Sequence, residues 1–334
     1  MNSTITDVPG IKVGHATDIE GGTGCTVILC GEKTVVGSDV RGSAPGTREI
    51  PLTEPVNLVQ YANAIYLGGG SAYGLDGAGG VMQFLEEKRI GFDVGVGVVP
   101  IVPGAVLFDL PVGRTDRRPD RSMGYRACLD ASSDKVPEGN VGAGTGASVG
   151  KARGMEFAMK GGLGSFSMTA GNLIVGAIVA VNCLGDVIDH RTGKIIAGTL
   201  SDDKKSFANS LKVLKEISEM QSRKEESKVS EKQGEVGFPG NTTIGVVATN
   251  AKLDKAGTKK VAMMAHDGLA RSINPIHTMF DGDTIFALST GEVEADLTTV
   301  GSLAAEALAI AVNRAVMEAE AAYGLLSYRD IKNI

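Results

Sequence analysis

Two adjacent threonines, Thr242 and Thr243, open an apolar, strand-like run that follows a long charged segment. A threonine hydroxyl is a weak nucleophile unless a base accepts its proton, and an N-terminal threonine carries that base as its own α-amine. A free α-amine has a pKa of ~8, which suits proton transfer at neutral pH. The pattern raises the hypothesis that the chain is cut between Asn241 and Thr242. On these residues alone, the interpretation that both threonines are ordinary strand residues is favoured.

Two aspartates, Asp281 and Asp283, flank Gly282 at the predicted start of another strand. Side chains two residues apart on a strand point to the same face, so the two carboxylates are expected to lie together. The rest of a twelve-residue EF-hand calcium loop is absent. A hydrogen-bonding or catalytic role is therefore favoured over a calcium site.

Other patterns with chemical potential are weaker. The glycine-rich stretch 142–151 lacks the first glycine of a P-loop and has Ala152 where a magnesium-binding Ser or Thr is needed. The four histidines and the absence of a G-x-S-x-G elbow make a serine or cysteine triad hard to assemble, so each histidine is interpreted as structural. The four cysteines match no zinc or disulfide spacing and are interpreted as buried thiols. No metal and no cofactor are expected.

Length and composition predict a globular protein. The chain has 334 residues, 43% of them hydrophobic, which is enough for a sizeable core. The formal net charge of −6 and the lack of a dense basic run argue against nucleic acid as a partner. The N-terminal residues lack the pattern of a signal peptide, and the longest apolar run, Val94 to Phe108, is too short for a bilayer and is interpreted as buried strand and loop. We therefore expect a cytoplasmic protein without a membrane partner.

Hydrophobic periodicity and glycine-rich turns predict mixed helices and strands. Antiparallel strands are expected from Gly10 to about Val40, and a strand is expected over 283–290. The segments 165–182 and 185–198 are predicted to form a hairpin pair joined by a turn at residues 183–185. Residues 221–240 have almost no apolar content and are predicted to be a mobile tether. Helices are predicted within 56–66 and over about 73–90, 123–133, 204–220, 253–272 and 298–323.

Seven motifs occur in an order that resembles a known family. They are DVPGIKVGHATD, GGTGCTVIL, LGGGSAYGLDGAGGV, VGAGTGASVGK, IVAVNCLGDVID, GNTTIGVVATNA and HTMFDGDTIFALSTG. Together they span nearly the whole chain, and the combination of GNTTI with DGDT is the most specific. The chain resembles the DmpA-type N-terminal-nucleophile peptidases, which include L-aminopeptidase/D-esterases, β-aminopeptidases and the endo-type nylon-oligomer hydrolase.

The resemblance implies a fold, a maturation step and an activity. The implied fold is an α+β, four-layer αββα sandwich, with residues 1–334 forming a single domain. The implied maturation is self-cleavage into an α chain, 1–241, and a β chain, 242–334, which stay together in a homo-oligomer, a tetramer or larger. The implied activity is hydrolysis of a small peptide or related amide through an acyl-enzyme.

The resemblance also implies roles for particular residues. Thr242 corresponds to the nucleophile, and Asn241 carries the carbonyl that it attacks. Asp281 and Asp283 correspond to the acidic pair that orients the nucleophile and its amine. Two further matches and one departure complete the implied site: Asn182 helps to stabilise the oxyanion, Lys151 lies near the nucleophile, and Phe108 replaces a tyrosine that serves the oxyanion or the substrate.

Two other functions fit the same residues. The first is acyl transfer to an amine, as in the ornithine acetyltransferases, which also use a threonine nucleophile in a layered fold. The second is an uncut, non-catalytic assembly protein, for which the missing hydroxyl at Phe108 is the best argument.

Overall fold

The computed structural model describes residues 3–226 and 240–332, which form six α-helices and seventeen strands. The helices are α1 Gly77–Glu87, α2 Arg121–Asp130, α3 Ser210–Glu226, α4 Lys255–Ser272, α5 Leu297–Met317 and α6 Tyr328–Lys332. The strands are β1 Lys12–Asp18, β2 Thr23–Leu29, β3 Val35–Val40, β4 Gly46–Arg48, β5 Ala64–Gly68, β6 Phe92–Asp93, β7 Val98–Val99, β8 Gly104–Val106, β9 Ser148–Val149, β10 Met159–Lys160, β11 Gly162–Ala170, β12 Leu173–Asn182, β13 Asp186–Ile188, β14 Ile195–Ala197, β15 Thr242–Ala251, β16 Ile273–Asn274 and β17 Thr284–Val293.

Two five-stranded sheets form the centre of the molecule. The first has the order β1-β2-β5-β8-β4, and the second has the order β11-β12-β15-β17-β3. Apolar side chains from both sheets share one buried cluster, which includes Ile65 and Leu67 of the first sheet and Val246 and Phe286 of the second. This cluster is the core between two stacked sheets, because each strand points alternate side chains to each face.

Helices cover the outer face of each sheet. Residues of α1 and α2, among them Val81 and Ala127, pack on the first sheet through Val27 and Tyr66. Residues of α4 and α5 pack on the second sheet in a larger cluster that includes Leu269 and Leu308. The order of layers is therefore helix, sheet, sheet, helix, which confirms the predicted αββα sandwich.

Local sequence signals begin three of the helices that build these outer layers. Asp120, Asp254 and Asp296 precede α2, α4 and α5, and the carboxylate of each accepts the backbone N–H three residues further on. Such N-caps satisfy donors that the first helical turn leaves without an intrahelical partner.

Helix α5 is long and apolar enough, by length and composition, to cross a membrane. However, 67% of its most apolar stretch is buried inside the fold. It packs on α4 and on strands β11 and β12. We therefore describe it as a core helix of the outer layer.

Two of the predicted elements were wrong. Residues 56–66 do not form a helix, because they are loop followed by the buried strand β5; a short, fully apolar strand and a buried helix cannot be told apart by periodicity alone. The predicted turn at 183–185 does not join two strands of one hairpin. Strand β12 pairs with β11 and β15, whereas β13 pairs with β14 and β16 in a separate sheet.

Two further expectations are met in part, and a third is contradicted over its first residues. Val94 and Val96 are exposed beside the β6–β7 hairpin, so only the later part of the run 94–108 is buried. All four cysteines are free thiols, three of them buried and Cys30 half-buried. Helix α3 continues to Glu226 and so includes the first residues of the predicted tether, 221–240, whereas 227–239 lie outside the described residues.

Candidate active site

The predicted site residues meet where three strands of the second sheet begin or end. Asn182 is the last residue of β12 and pairs with Thr242, the first residue of β15. Asn241, just before β15, forms a bridge with Asp281, just before β17. Since β15 and β17 run parallel, their starting residues lie side by side. The sheet thus places Asn182, Thr242 and the aspartate pair together.

The peptide bond between Asn241 and Thr242 is held by hydrogen bonds at its carbonyl. The backbone N–H of Gly282 donates to the Asn241 carbonyl oxygen at 3.0 Å. The hydroxyl of Thr242 donates to the same oxygen. Both residues are buried, with 1% and 4% of their surface exposed. The hydroxyl therefore lies against the carbonyl that it would attack, and a fixed backbone donor polarises that carbonyl.

The side chain of Asn241 is buried without compensation. Neither atom of its amide has a hydrogen-bond partner among the described residues, and the same is true of the Thr243 hydroxyl. These polar atoms lie directly beside the candidate cleavage site.

Asn182 and Lys151 form one hydrogen-bonded unit. The Lys151 ammonium donates to the backbone carbonyl of Asn182 at 3.0 Å and to its side-chain Oδ1 at 3.1 Å. The backbone N–H of Ser148 donates to the same Oδ1 at 3.0 Å. On its other side, Asn182 Nδ2 donates to the carbonyl of Phe108 at 3.0 Å. This leaves one N–H of the Asn182 amide available to a further acceptor.

Lys151 is almost completely buried, with 1% of its surface exposed. Burial lowers the pKa of its ammonium from 10.5 to about 8, and the nearby acidic groups oppose this only in part. A lysine with this pKa is partly neutral at physiological pH and can accept a proton.

The two aspartates differ in their partners. The carboxylate of Asp281 accepts from the backbone N–H of Thr278 at 2.8 Å and from its hydroxyl at 2.5 Å. Asp283 Oδ1 accepts the backbone N–H of Thr243 at 2.6 Å. Burial, and then repulsion from Asp283, raises the pKa of Asp281 above its usual range. Both lie in the loop just before β17 rather than on the strand itself.

Phe108 lies beside the chain that leads into the site. A methyl group added at Gly240 would lie 2.7 Å from its ring, so the ring packs directly on this glycine. Together with the bond from Asn182 to its carbonyl, this places Phe108 at the site. Its ring offers no hydroxyl, so it provides an apolar wall at this position.

The structure therefore brings all seven predicted residues together, and it adds three that the sequence analysis missed. Gly282 and Ser148 act through backbone N–H groups, for which a sequence has no residue-type signal. His277 contacts Asp283, with Nδ1 2.8 Å from Oδ2. Its position in the HTMFDGD motif was the available signal.

In the described parts of the chain, no group of three or more His, Cys, Asp or Glu side chains could hold a metal ion.

Comparisons with known proteins give a consistent result. The model of peptidase family S58 matches residues 3–327. An uncharacterised aminopeptidase of Mycobacterium bovis is 43% identical, with 99% of this chain and 98% of that protein aligned. A 6-aminohexanoate-oligomer endohydrolase of Kocuria sp. is 31% identical over 89% of this chain and 77% of that protein.

The fold is also similar to that of solved structures. The L-aminopeptidase D-Ala-esterase/amidase of Ochrobactrum anthropi, described as a variant of the Ntn-hydrolase fold, has a TM-score of 0.66 at 18% sequence identity. The match covers 96% of this chain and 87% of that one. At this identity the likeness concerns the fold.

Proposed function

Because the chain belongs to peptidase family S58, which makes it a hydrolase of peptide or related amide bonds, we propose that it first cuts itself between Asn241 and Thr242 and then uses Thr242 as an N-terminal nucleophile. The observation that carries this proposal is the bonding at the Asn241 carbonyl. The Thr242 hydroxyl and the Gly282 N–H both reach this oxygen in the uncut chain. The family match also favours hydrolysis over acyl transfer to an amine.

Maturation proceeds by transfer of the Asn241 acyl group from nitrogen to oxygen. The Thr242 Oγ attacks the carbonyl carbon of Asn241 while a neighbouring base takes the hydroxyl proton. Lys151, with its lowered pKa, and Asp281, with its raised pKa, are the two candidate bases. The C–N bond then breaks, the nitrogen gains a proton, and an ester links Asn241 to Thr242. Water hydrolyses the ester and leaves a carboxylate on Asn241 and a free amine on Thr242.

Backbone groups support the charge that develops on oxygen. The Gly282 N–H lies 3.0 Å from the oxygen that becomes negative when Oγ attacks. One such donor contributes typically 10²–10³ in rate where the oxyanion forms. Asn182 has one amide N–H beyond the bond to Phe108 and serves as a second donor to the substrate's oxyanion.

The mature enzyme uses the same hydroxyl on an external amide. The new α-amine of Thr242 accepts the hydroxyl proton, and Asp283, which binds the adjacent Thr243 N–H, fixes this end of the strand. An acyl-enzyme forms on Thr242 and is released by water. The relatives are named for aminopeptidase and 6-aminohexanoate-oligomer hydrolysis, so both α-peptides and linear oligoamides are candidate substrates. The proposal includes a homo-oligomer of cleaved units, a tetramer or larger, in the cytoplasm.

The test is intact mass spectrometry of denatured protein, with two threonine variants. The wild-type chain is expected to give two species that split between Asn241 and Thr242. Thr242→Ala removes the nucleophile and is expected to remain one full-length chain. Thr243→Ala is the matched control, because it removes a neighbouring buried hydroxyl that has no hydrogen-bond partner within residues 3–226 and 240–332, and it should still be cut. A cut Thr242→Ala chain, or a wild-type chain that stays intact, contradicts the proposal.

A further inference from the structure

His277 holds one oxygen of Asp283 with two donors. Its backbone N–H lies 3.1 Å from Asp283 Oδ2, and its ring Nδ1 lies 2.8 Å from the same atom. The other oxygen, Oδ1, accepts the Thr243 N–H at 2.6 Å. Asp283 is fully buried, so its orientation is set by these contacts. One carboxylate therefore connects His277 to the peptide unit that joins Thr242 to Thr243.

The backbone of His277 is adapted to this double contact. Its φ is 57°, in the left-handed region that few non-glycine residues adopt. A residue there costs roughly 1–2 kcal/mol, and the conformation persists only where surrounding contacts favour it. Among the residues that tolerate this region, Asn, Asp and His are enriched.

The ring of His277 has a defined hydrogen position. A carboxylate can only accept, so Nδ1 carries the hydrogen that is shared with Asp283. His266 packs edge-to-face against this ring, with 4.8 Å between the ring centroids. His266 is itself fixed, because its Nε2 lies 3.0 Å from the backbone carbonyl of Asp39. The second histidine therefore restrains the ring of the first.

The contact lies at the start of the β15–β17 ladder. The parallel pairing of these strands begins with Ile244 opposite Thr284. One residue earlier, the Asp283 carboxylate takes the Thr243 N–H in place of a backbone carbonyl. If Asp283 turned away, this buried N–H would lose its partner, and Thr242 would shift relative to the Gly282 N–H. Displacements of about 1 Å at a reacting atom cost up to 10²-fold in rate.

From this geometry we propose that His277 is a positioning residue, which orients the Asp283 carboxylate through its Nδ1–H. The oriented carboxylate holds the Thr243 N–H and thereby keeps Thr242 aligned for attack. The inference rests on the proposed function for its effect on cleavage. Its claim about the Thr243 N–H stands on geometry alone.

Two variants separate the Nδ1 donor from the rest of the ring. His277→Asn places an amide N–H close to the position of Nδ1 and tolerates the left-handed backbone. His277→Gln extends further and loses the donor at that position. His190 offers a matched control, because its backbone N–H and Nδ1 contact one oxygen of Asn313 at 3.2 and 2.8 Å, away from the site.

The first readout is the rate at which full-length chain is converted to the two cleaved species. We expect His277→Gln to slow cleavage at least tenfold and His277→Asn to stay within about threefold of wild type. In material that has been cleaved, His277→Gln should lower kcat on an amino-acid p-nitroanilide and leave KM unchanged. His190→Gln should leave both constants and the cleavage rate unchanged. Equal rates for wild type and His277→Gln, or equally slow Asn and Gln variants, would overturn the inference.

The second readout does not depend on cleavage. In the uncut Thr242→Ala background, hydrogen exchange of the peptide that contains Thr243 should be faster with His277→Gln, and unchanged with His277→Asn or His190→Gln. Unchanged exchange in His277→Gln would contradict the inference even if the wild-type chain were never cut. An intact wild-type chain with faster exchange in His277→Gln would instead overturn the proposed function and leave the positioning role supported.

Discussion

Gly282 occupies a crowded position in the candidate site. A β-carbon at this residue would lie 2.6 Å from the Ala44 carbonyl oxygen and 2.9 Å from the Thr242 hydroxyl. Real β-carbons do not approach other atoms within 3.0 Å. The absence of a side chain therefore allows the backbone N–H of Gly282 to reach the Asn241 carbonyl beside the nucleophile.

Gly282→Ala is expected to slow self-cleavage by 10²-fold or more, because the added methyl must displace either the Ala44 backbone or the Thr242 hydroxyl. The measurement is the fraction of full-length chain over time by intact mass. Gly97→Ala is the control, since a methyl group there meets no atom within 4 Å. Cleavage of Gly282→Ala at the wild-type rate would show that this N–H is not needed.

The sequence predicted the chemical groups of the site better than their arrangement. Thr242 and the aspartate pair could be identified because their residue types carry a recognisable chemistry, whereas Asn182 was identified only through the resemblance to a known family. The N–H groups of Gly282 and Ser148 could not, because every residue except proline has a backbone donor. His277 was interpreted as structural, since a lone histidine gives no indication of its partner before the fold places Asp283 next to it.

At the scale of elements, two glycines allow the outer helices to approach closely. A β-carbon at Gly268 of α4 would lie 2.2 Å from the backbone oxygen of Ala305 in α5. Across the other face of α5, a β-carbon at Gly164 of β11 would lie 2.1 Å from the oxygen of Ala311. Helix α5 is therefore held between α4 and the sheet at backbone-to-backbone contact, and its alanine-rich sequence suits this spacing.

Gly268→Ala should destabilise the fold by about 1–3 kcal/mol, since the added methyl overpacks the α4–α5 contact. The measurement is urea unfolding in the uncut Thr242→Ala background, which keeps one covalent species. Gly257→Ala, in the first turn of the same helix, has more room and should be neutral or stabilising by up to about 1 kcal/mol. Equal stability of the two variants would contradict the close approach of the helices.

Long periodic elements were predictable, and short buried ones were not. Helices α4 and α5 begin within about two residues of the predicted starts, 253 and 298, because each keeps a helical apolar pattern over several turns. Strand β5 was mistaken for part of a helix because its five buried residues have no alternation. Which strands pair could not be derived either, since β15 lies between β12 and β17, which are distant in sequence.

Considering the whole molecule, Lys151 and Lys160 are buried in the fold, and neither forms an ion pair with any residue that the structure describes. Lys160 is fully buried, and its ammonium donates to the backbone carbonyls of Gly144, Ala147 and Gly161. Burial lowers the pKa of Lys160 to about 7 and that of Lys151 to about 8. Both charges are thus less favourable in the folded chain than in water.

Stability is therefore expected to rise between pH 7 and pH 8.5. In this window the unfolded chain keeps the protons of both lysines, whose unfolded pKa is 10.5, whereas the folded chain loses them progressively. Since the unfolded state binds more protons, the free energy of unfolding increases with pH, by roughly 1–2 kcal/mol in all. At higher pH the cysteines act in the opposite direction. Burial raises the pKa of their thiols in the fold, so the thiols ionise more readily in the unfolded chain and lower the free energy of unfolding.

The measurement is urea unfolding of Thr242→Ala at pH 7.0 and 8.5. Adding Lys160→Met should remove most of the increase, because Lys160 titrates lowest. Lys12→Met, at an exposed strand position, should leave the increase unchanged. A stability that falls from pH 7 to 8.5, or a Lys160→Met chain with the full increase, would contradict this account.

The second sheet contains strands from both sides of the candidate cleavage site. Its strands β11, β12 and β3 precede Asn241, whereas β15 and β17 follow it. Before a cut, folding is a first-order reaction of one molecule; after it, rebuilding this sheet requires an encounter between two molecules and depends on concentration. Cleavage at this position would therefore occur only in chains that have already folded. A mature molecule that unfolded in dilute solution would refold very slowly, because its two fragments would rarely meet.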